Sequence, residues 1–190
     1  MYQVEEDKFY CYAGTAILKN KLDLRDAAEL ADFEAEITAQ RASEPLPEGG
    51  LDYTHYKAVH RHLFQDVYPW AGEIRKVRIG KDGNWFCFPE HIDKQMLDLF
   101  GWLANENYLR DLEGEAFAKK AAHFLAELNA IHPFREGNGR TQLSFLAMLA
   151  DQAGHSFDLE KLKPKAMLDA TIASFDADEC PLVEVISKLM

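Results

Sequence analysis

Apolar positions recur at spacings of three and four along most of the chain, which predicts a mainly helical protein. Phe117, Ala121, Phe124, Leu125 and Leu128 share one face of a helix over 115–131, and Leu143, Phe145, Leu146, Leu149 and Ala150 mark a second over 141–153. Ahead of these, Ala27, Leu30, Phe33 and Ile37 give a helix over 24–42, with Asp23 as its cap and Asp26 in its first turn. Tyr56, Val59, His60, Leu63 and Phe64 align in a helix over 52–67, and Ile92, Met96, Leu99 and Leu103 in one opened by Pro89 and Glu90 and ending near 105. Two closing helices are expected over 163–174 and 181–190, the first starting at Asp158 or near Pro164.

One interval breaks the helical period. Over 75–88, Val77 and Ile79 alternate with charge, Lys81-Asp82-Gly83-Asn84 follows, and then Trp85-Phe86-Cys87-Phe88. Asp-Gly between two β-prone runs predicts a hairpin. A lone hairpin does not stabilise a domain, so it is expected to ride on the helical body. The Pro- and Gly-rich stretch 43–50 is a loop too short to separate one domain from another, and the first 22 residues read as an arm with little regular structure before residue 16. Trp70 reads as a core anchor and Gly72 as a tight backbone approach. The expected architecture is all-α, about seven or eight helices with one small β-hairpin. It forms a single domain over 1–190: arm and first helix over 1–50, a core with hairpin and loop over 51–155, and closing helices over 156–190.

Composition adds limits. At 190 residues and 47% hydrophobic the chain can bury a real core. A net charge of −11 argues against coating DNA, RNA or an anionic membrane, while leaving room for a local basic pocket. Cys11, Cys87 and Cys180 are odd in number and far apart, so no disulfide or zinc framework follows, and a reducing cytoplasm fits. No apolar run approaches the roughly eighteen residues of a membrane span, and the acidic start does not read as a secretory signal; export by another route stays open. His55, His60 and His62 lack the i, i+4 pair of helical zinc sites and read as core or surface histidines.

The chemistry concentrates in His132-Pro133-Phe134-Arg135-Glu136-Gly137-Asn138-Gly139-Arg140, pinned between two helices. Pro133 ends the first of them. Gly137-Asn138-Gly139 can adopt positive φ and leaves bare N–H groups where the next helix begins, a ready anion nest. Arg140 adds a cationic fork suited to phosphate, Glu136 a hard oxygen for magnesium, and His132 a proton acceptor near neutral pH.

These residues resemble the signature of the Fic family (filamentation induced by cAMP), HxFx(D/E)GNGRxxR, at every fixed position except the last arginine, which falls on Leu143. Tyr10-x-Tyr12-x-Gly14-Thr15 with Leu18-Lys19-Asn20-Lys21-Leu22, and Trp70-Ala71-Gly72-x-x-Arg75, also look like short Fic proteins. The resemblance implies a protein adenylyltransferase that moves AMP from ATP, with Mg2+ or Mn2+, onto a Tyr, Ser or Thr hydroxyl of a target protein. His132 would be the base and Glu136 the metal ligand. Arg135, Arg140 and the Gly137, Asn138 and Gly139 amides, with the Asn138 side chain, would hold the phosphates. Pro133 and Phe134 would shape the loop. The hairpin would be the flap, whose Val77, Ile79, Asn84, Trp85 and Phe86 hold a target segment by strand pairing. Several short relatives are toxins, some acting on the ATPase subunits of type II topoisomerases. The family's inhibitory helix carries (S/T)xxxE(G/N). Here Ser43 to Glu48-Gly49 is one residue too long and Ser174 leads to Asp178-Glu179, so inhibition is expected from a small antitoxin in trans. Leu143 keeps open a Fic-fold transferase using UMP, phosphocholine or phosphate. A degenerate binding module is the third reading, against which the intact His132, Glu136 and Arg140 stand.

Overall fold

The structure is a computed structural model that describes residues 3–4, 7–81 and 83–190, with side chains from residue 7 onward. Among the described residues it has seven α-helices and one small antiparallel sheet: β1 (Gln3–Val4), α1 (Ala27–Ser43), α2 (Tyr53–Phe64), β2 (Ile79–Lys81), β3 (Asn84–Trp85), α3 (Pro89–Asn105), α4 (Gly114–Ile131), α5 (Asn138–Gln152), α6 (Pro164–Ala173) and α7 (Cys180–Leu189). The helical fold with its hairpin is as expected. Asp82, half of the Asp-Gly signal, lies outside the described residues.

The chain divides into two units. The first is Met1–Ile92 with Pro133–Thr141, the second Asp93–His132 with Gln142–Met190. In the first, α1 packs on α2. α1 starts later than its hydrophobic pattern suggests: Asp23 sits at φ 54, and Asp26 caps instead, its Oδ1 accepting from the Ala28 and Glu29 amides. Ala27 is exposed, and the most buried positions of α1 are Leu30 and Thr38, with Glu34 between them at the same i, i+4 interval. α2 is capped by Asp52 and buries Tyr56, Val59, His60, Leu63 and Phe64 as expected, but its regular part stops at Phe64. Trp70 is buried, and a Cβ on Gly72 would lie 2.9 Å from Cβ of Arg61.

The sheet holds a feature that hydropathy does not reveal. β2 is central, paired with β3 (Gly80 opposite Trp85) and with β1 from the arm (Gln3 opposite Gly80, Val4 opposite Ile79). A short strand of the arm thus covers the edge of β2 away from β3, and the outer edges of the sheet are those of β1 and β3. Two residues bind the arm further. Tyr10 is buried edge-on to Trp70, and its hydroxyl accepts from the Lys76 amide at 3.1 Å.

In the second unit α4 packs on α7, and α7 on α6. Phe100, Phe124 and Phe145 meet at ring-centre distances of 5.5, 5.5 and 6.2 Å to form an aromatic core. The bounds of α3 and α4 follow the hydrophobic pattern closely. Near the C-terminus Asp158 caps a separate 3-10 turn, Leu159–Lys161, and Pro164 takes the first turn of α6. Among the described residues no helix is long and apolar enough to cross a membrane.

Candidate active site

His132 ends α4 and the second unit. It is the helix C-cap in the left-handed region (φ 51, ψ 64), where a non-glycine residue is strained, and its amide still donates to the Leu128 carbonyl. The buried ring places Nδ1 3.2 Å from the Asn129 carbonyl oxygen. A carbonyl only accepts, so Nδ1 carries the proton and Nε2 is left as the basic nitrogen. The Asn129 side chain in turn donates to the Thr171 carbonyl of α6, which fixes this corner of the unit.

From Pro133 the chain enters the first unit, and there most of the loop's side chains hold the loop itself. Phe134 is fully buried and stacks on His60 (3.7 Å between ring centres) and Tyr56 (5.5 Å). Asn138, also fully buried, accepts from the Phe134 amide (2.9 Å) and donates to its carbonyl (2.8 Å), closing the turn as a two-point clasp. Its side chain, expected at the phosphates, faces inward. Arg135 is buried too, and its Nε donates to Asp7 at 2.7 Å, with the two side chains 7% and 4% exposed. The guanidinium expected at phosphate thus ties the loop to the arm.

Gly137 and Gly139 differ. Gly137 has φ 81, and a Cβ there would fall 2.2 Å from the Phe64 ring, so glycine is required twice over. Gly139 is exposed in the first turn of α5, with nothing within 4 Å of a built Cβ. The first amides of a helix have no intrahelical partner and attract anions. The expected positive φ therefore applies to Gly137 alone, and Gly139 instead leaves the helix start uncovered.

Glu136 and Arg140 complete the exposed set. Glu136 Oε1 accepts from the Gly137 amide (2.9 Å) and lies 4.0 Å from Arg140 Nη2, while Oε2 has no protein partner among the described residues. Its side chain keeps 30% of its surface, yet burial, helped by the charge of Glu34, pushes the carboxyl above its ordinary range. No group of three or more His, Cys, Asp or Glu among the described residues could hold a metal by itself. One hard oxygen without a partner among the described residues, on a partly exposed side chain, fits a divalent cation that arrives with phosphates and keeps water ligands. Arg140 is 40% exposed, its guanidinium 4.7 Å over the Phe64 ring, paired with Glu34 and donating to Thr38 Oγ1 at 3.0 Å.

A model of the Fic/DOC family matches residues 50–150. The chain belongs to the Fic/DOC family. A Sinorhizobium fredii protein named "Probable protein adenylyltransferase y4lH" is 52% identical over all of this chain and 98% of its own length. Protein adenylyltransferase VbhT of Bartonella schoenbuchensis is 37% identical over 87% of this chain and 35% of its own. Among solved structures, the Bartonella tribocorum BepC protein with bound AMPPNP superposes with a TM-score of 0.84 at 26% identity, covering 95% of each chain. A Bartonella quintana Fic domain with bound ADP gives 0.86 at 28%, covering 95% of this chain and 93% of its own.

Within this Fic chain four contributors leave no mark in the motif. His60 donates from Nε2 to the Glu136 carbonyl (3.0 Å) and accepts the Gly72 amide at Nδ1 (2.8 Å), bracing the loop from α2. Arg75, buried, reaches the Val77 and Cys87 carbonyls on both sides of the hairpin while its amide donates to the Pro133 carbonyl, so hairpin and loop share one anchor. Glu34 and Thr38 grip Arg140 from α1. Polar side chains on the inward stripe of a helix are the available signal for His60, Glu34 and Thr38. On the hairpin, Ile79 is fully buried and Val77 half-buried. Trp85 and Phe88 are 39% and 44% exposed, with the Arg78 guanidinium 4.6 and 4.0 Å from their rings. Leu143 is half-buried on α5, beside a fully packed Leu146.

Proposed function

We infer that the chain is a protein adenylyltransferase, carrying AMP from ATP to a hydroxyl side chain of another protein. One observation carries the reading. Phe134, Arg135 and Asn138 turn inward to hold the loop, and what it leaves open is a carboxylate, a bare helix start at Gly139 and the Arg140 fork. That set suits a metal-bound polyphosphate. Family membership and relatives named protein adenylyltransferase support it.

His132 Nε2 would take the proton of the attacking hydroxyl as its oxygen bonds to the α-phosphorus and the bond to the bridging α–β oxygen breaks, releasing pyrophosphate. The first amides of α5 would hold the phosphates, and Arg140 would offset charge growing on the leaving group. Magnesium or manganese, held by Glu136, would supply further positive charge to the phosphates. Positioning and electrostatics then account for catalysis. The target would add a strand at the β3 edge, at Asn84, Trp85 and Phe86, because β1 already covers β2. A cytoplasmic toxin restrained by an antitoxin in trans, with topoisomerase ATPase subunits among the candidate targets, is the biological setting we favour, on the lack of an inhibitory motif in the sequence.

The deciding experiment incubates the protein with α-labelled nucleoside triphosphates and a cell lysate. Label from ATP on a lysate protein, lost by about 10²–10⁴ in rate in His132→Ala, is the expected result. Label only from another donor would favour the alternative that Leu143 keeps open, and no protein label would mean a binding module.

A further inference from the structure

We propose that Glu34 of α1 is a positioning residue for Arg140, holding the guanidinium in the attitude in which it meets phosphate. The proposal rests on the reading of Arg140 as a phosphate-binding group. Five contacts set the geometry. Glu34 Oε1 pairs with Arg140 Nη2, and Glu34 Oε2 accepts from the Tyr68 hydroxyl, so each carboxylate oxygen has its own partner. One turn along, Thr38 donates its hydroxyl to the Glu34 carbonyl at 2.7 Å and offers a lone pair to Arg140 Nη1 at 3.0 Å. The guanidinium carbon lies 4.7 Å from the centre of the Phe64 ring. Phe64 is itself fully buried, against Gly137.

Burial separates holding Arg140 from competing for it. Glu34 is 13% exposed and Arg140 40%, so the carboxylate is the buried member and the guanidinium the exposed one. A side chain that mimicked phosphate would occupy the open side of Arg140. Glu34 and Thr38 engage only the terminal nitrogens, each of which has a second N–H, and Nε has no partner among the described residues. A long flexible side chain is thereby fixed at one edge before any ligand arrives, which lowers the ordering cost of binding.

The test uses the full chain, with the affinity for ATP–magnesium and kcat/KM for AMP transfer measured beside the melting temperature. Glu34→Ala is expected to weaken both by roughly ten- to hundredfold, the scale of a misplaced contact. Glu34→Gln, which keeps an oxygen for Arg140, should recover most of the loss. Thr38→Val should lose a smaller amount in the same direction, and it serves where Glu34→Ala folds poorly. In an Arg140→Ala background Glu34→Ala should have no further effect, which a merely structural role would not predict. Equal or tighter ATP binding by Glu34→Gln and Glu34→Ala would overturn the proposal and make Glu34 a competitor. Additive losses with Arg140→Ala would overturn it as well. If Arg140→Ala leaves ATP binding unchanged, the reading of Arg140 fails and takes the proposal with it, an outcome distinct from an inert Glu34 beside a vital Arg140.

Discussion

Acid should loosen this protein through His60. The ring is fully buried, and both nitrogens are in use: Nδ1 accepts the Gly72 amide at 2.8 Å, so Nε2 must carry the proton it donates to the Glu136 carbonyl at 3.0 Å. Only a neutral ring satisfies both. Protonation would set an N–H against an N–H and bury a charge between Phe134 and Phe64, whose ring centres lie 3.7 and 4.8 Å away. Burial accordingly holds the pKa down to about 3, with the charge of Arg140 adding to the effect. In the unfolded chain the value returns to about 6.5. Between these values the unfolded state binds more protons, so stability rises with pH across the window and is lost as pH falls from 6.5 toward 3. Going from pH 7 to pH 5, this one ring should remove about 2 kcal/mol of folding stability. That is a large part of the roughly 5–15 kcal/mol a domain has.

The assay is urea unfolding of wild type and His60→Gln at pH 7, 6 and 5. The variant is expected to be less stable at pH 7, having lost the brace, but its stability should fall less toward pH 5, the gap narrowing by about 2 kcal/mol. The comparison cancels the other histidines. Parallel pH profiles for the two proteins would refute the reasoning, since a ring that titrates normally in the fold contributes no slope.

Two neighbouring glycines should behave in opposite ways. Gly137→Ala should lose about 2–4 kcal/mol in unfolding experiments from the positive φ and the Phe64 overlap together, whereas Gly139→Ala should melt no lower than wild type yet bind ATP–magnesium roughly tenfold or more weakly. Leu143→Arg, three residues along α5 from Arg140, should add a charge-assisted contact and raise kcat/KM with ATP roughly ten- to hundredfold; lower melting with unchanged labelling would sink it. Excess chelator should abolish labelling, and Glu136→Ala should raise the magnesium needed for half-maximal activity.

Much of the fold is legible in the sequence, and what is not has a common cause. The faces of α3 and α4 carry unbroken apolar stripes and that of α2 one interrupted by His60, and those helices lie close to where the stripes put them. The motif loop is legible because its residue types are rare in combination. What escapes are polar partners distant in sequence. Asp7 meets Arg135 across 128 positions and Glu34 meets Arg140 across 106. Such pairs leave no periodic trace. On α1 the inward position of Glu34 looks like a gap in an apolar face, and Asp23 and Asp26 are equally good caps on paper. The amide of Asn138 suits phosphates by its chemistry alone; in the fold the same amide satisfies both backbone groups of Phe134. β1 is two residues long and has no alternation to detect.

The pairings also bear on how a site with so little free cationic charge could take a polyphosphate. Arg135 is neutralised by Asp7 and Arg140 by Glu34, and Glu136 stands against them. These five side chains carry one net negative charge, in a chain whose total is −11. Free ATP would meet repulsion from everything but the first amides of α5 and the exposed side of Arg140. On the proposed reading, binding would depend on fixed dipoles, which are already oriented, and on a divalent cation that would turn Glu136 from a repulsive group into a ligand. A carboxyl pushed upward by burial is costly to keep ionised without such a partner, so a bound metal would also offset the desolvation that Glu136 suffers in the loop. The loop's arginines need not supply bulk positive charge. One holds the arm, the other offers a directed fork, and selectivity for metal-bound nucleotide over free nucleotide would follow from the balance between them.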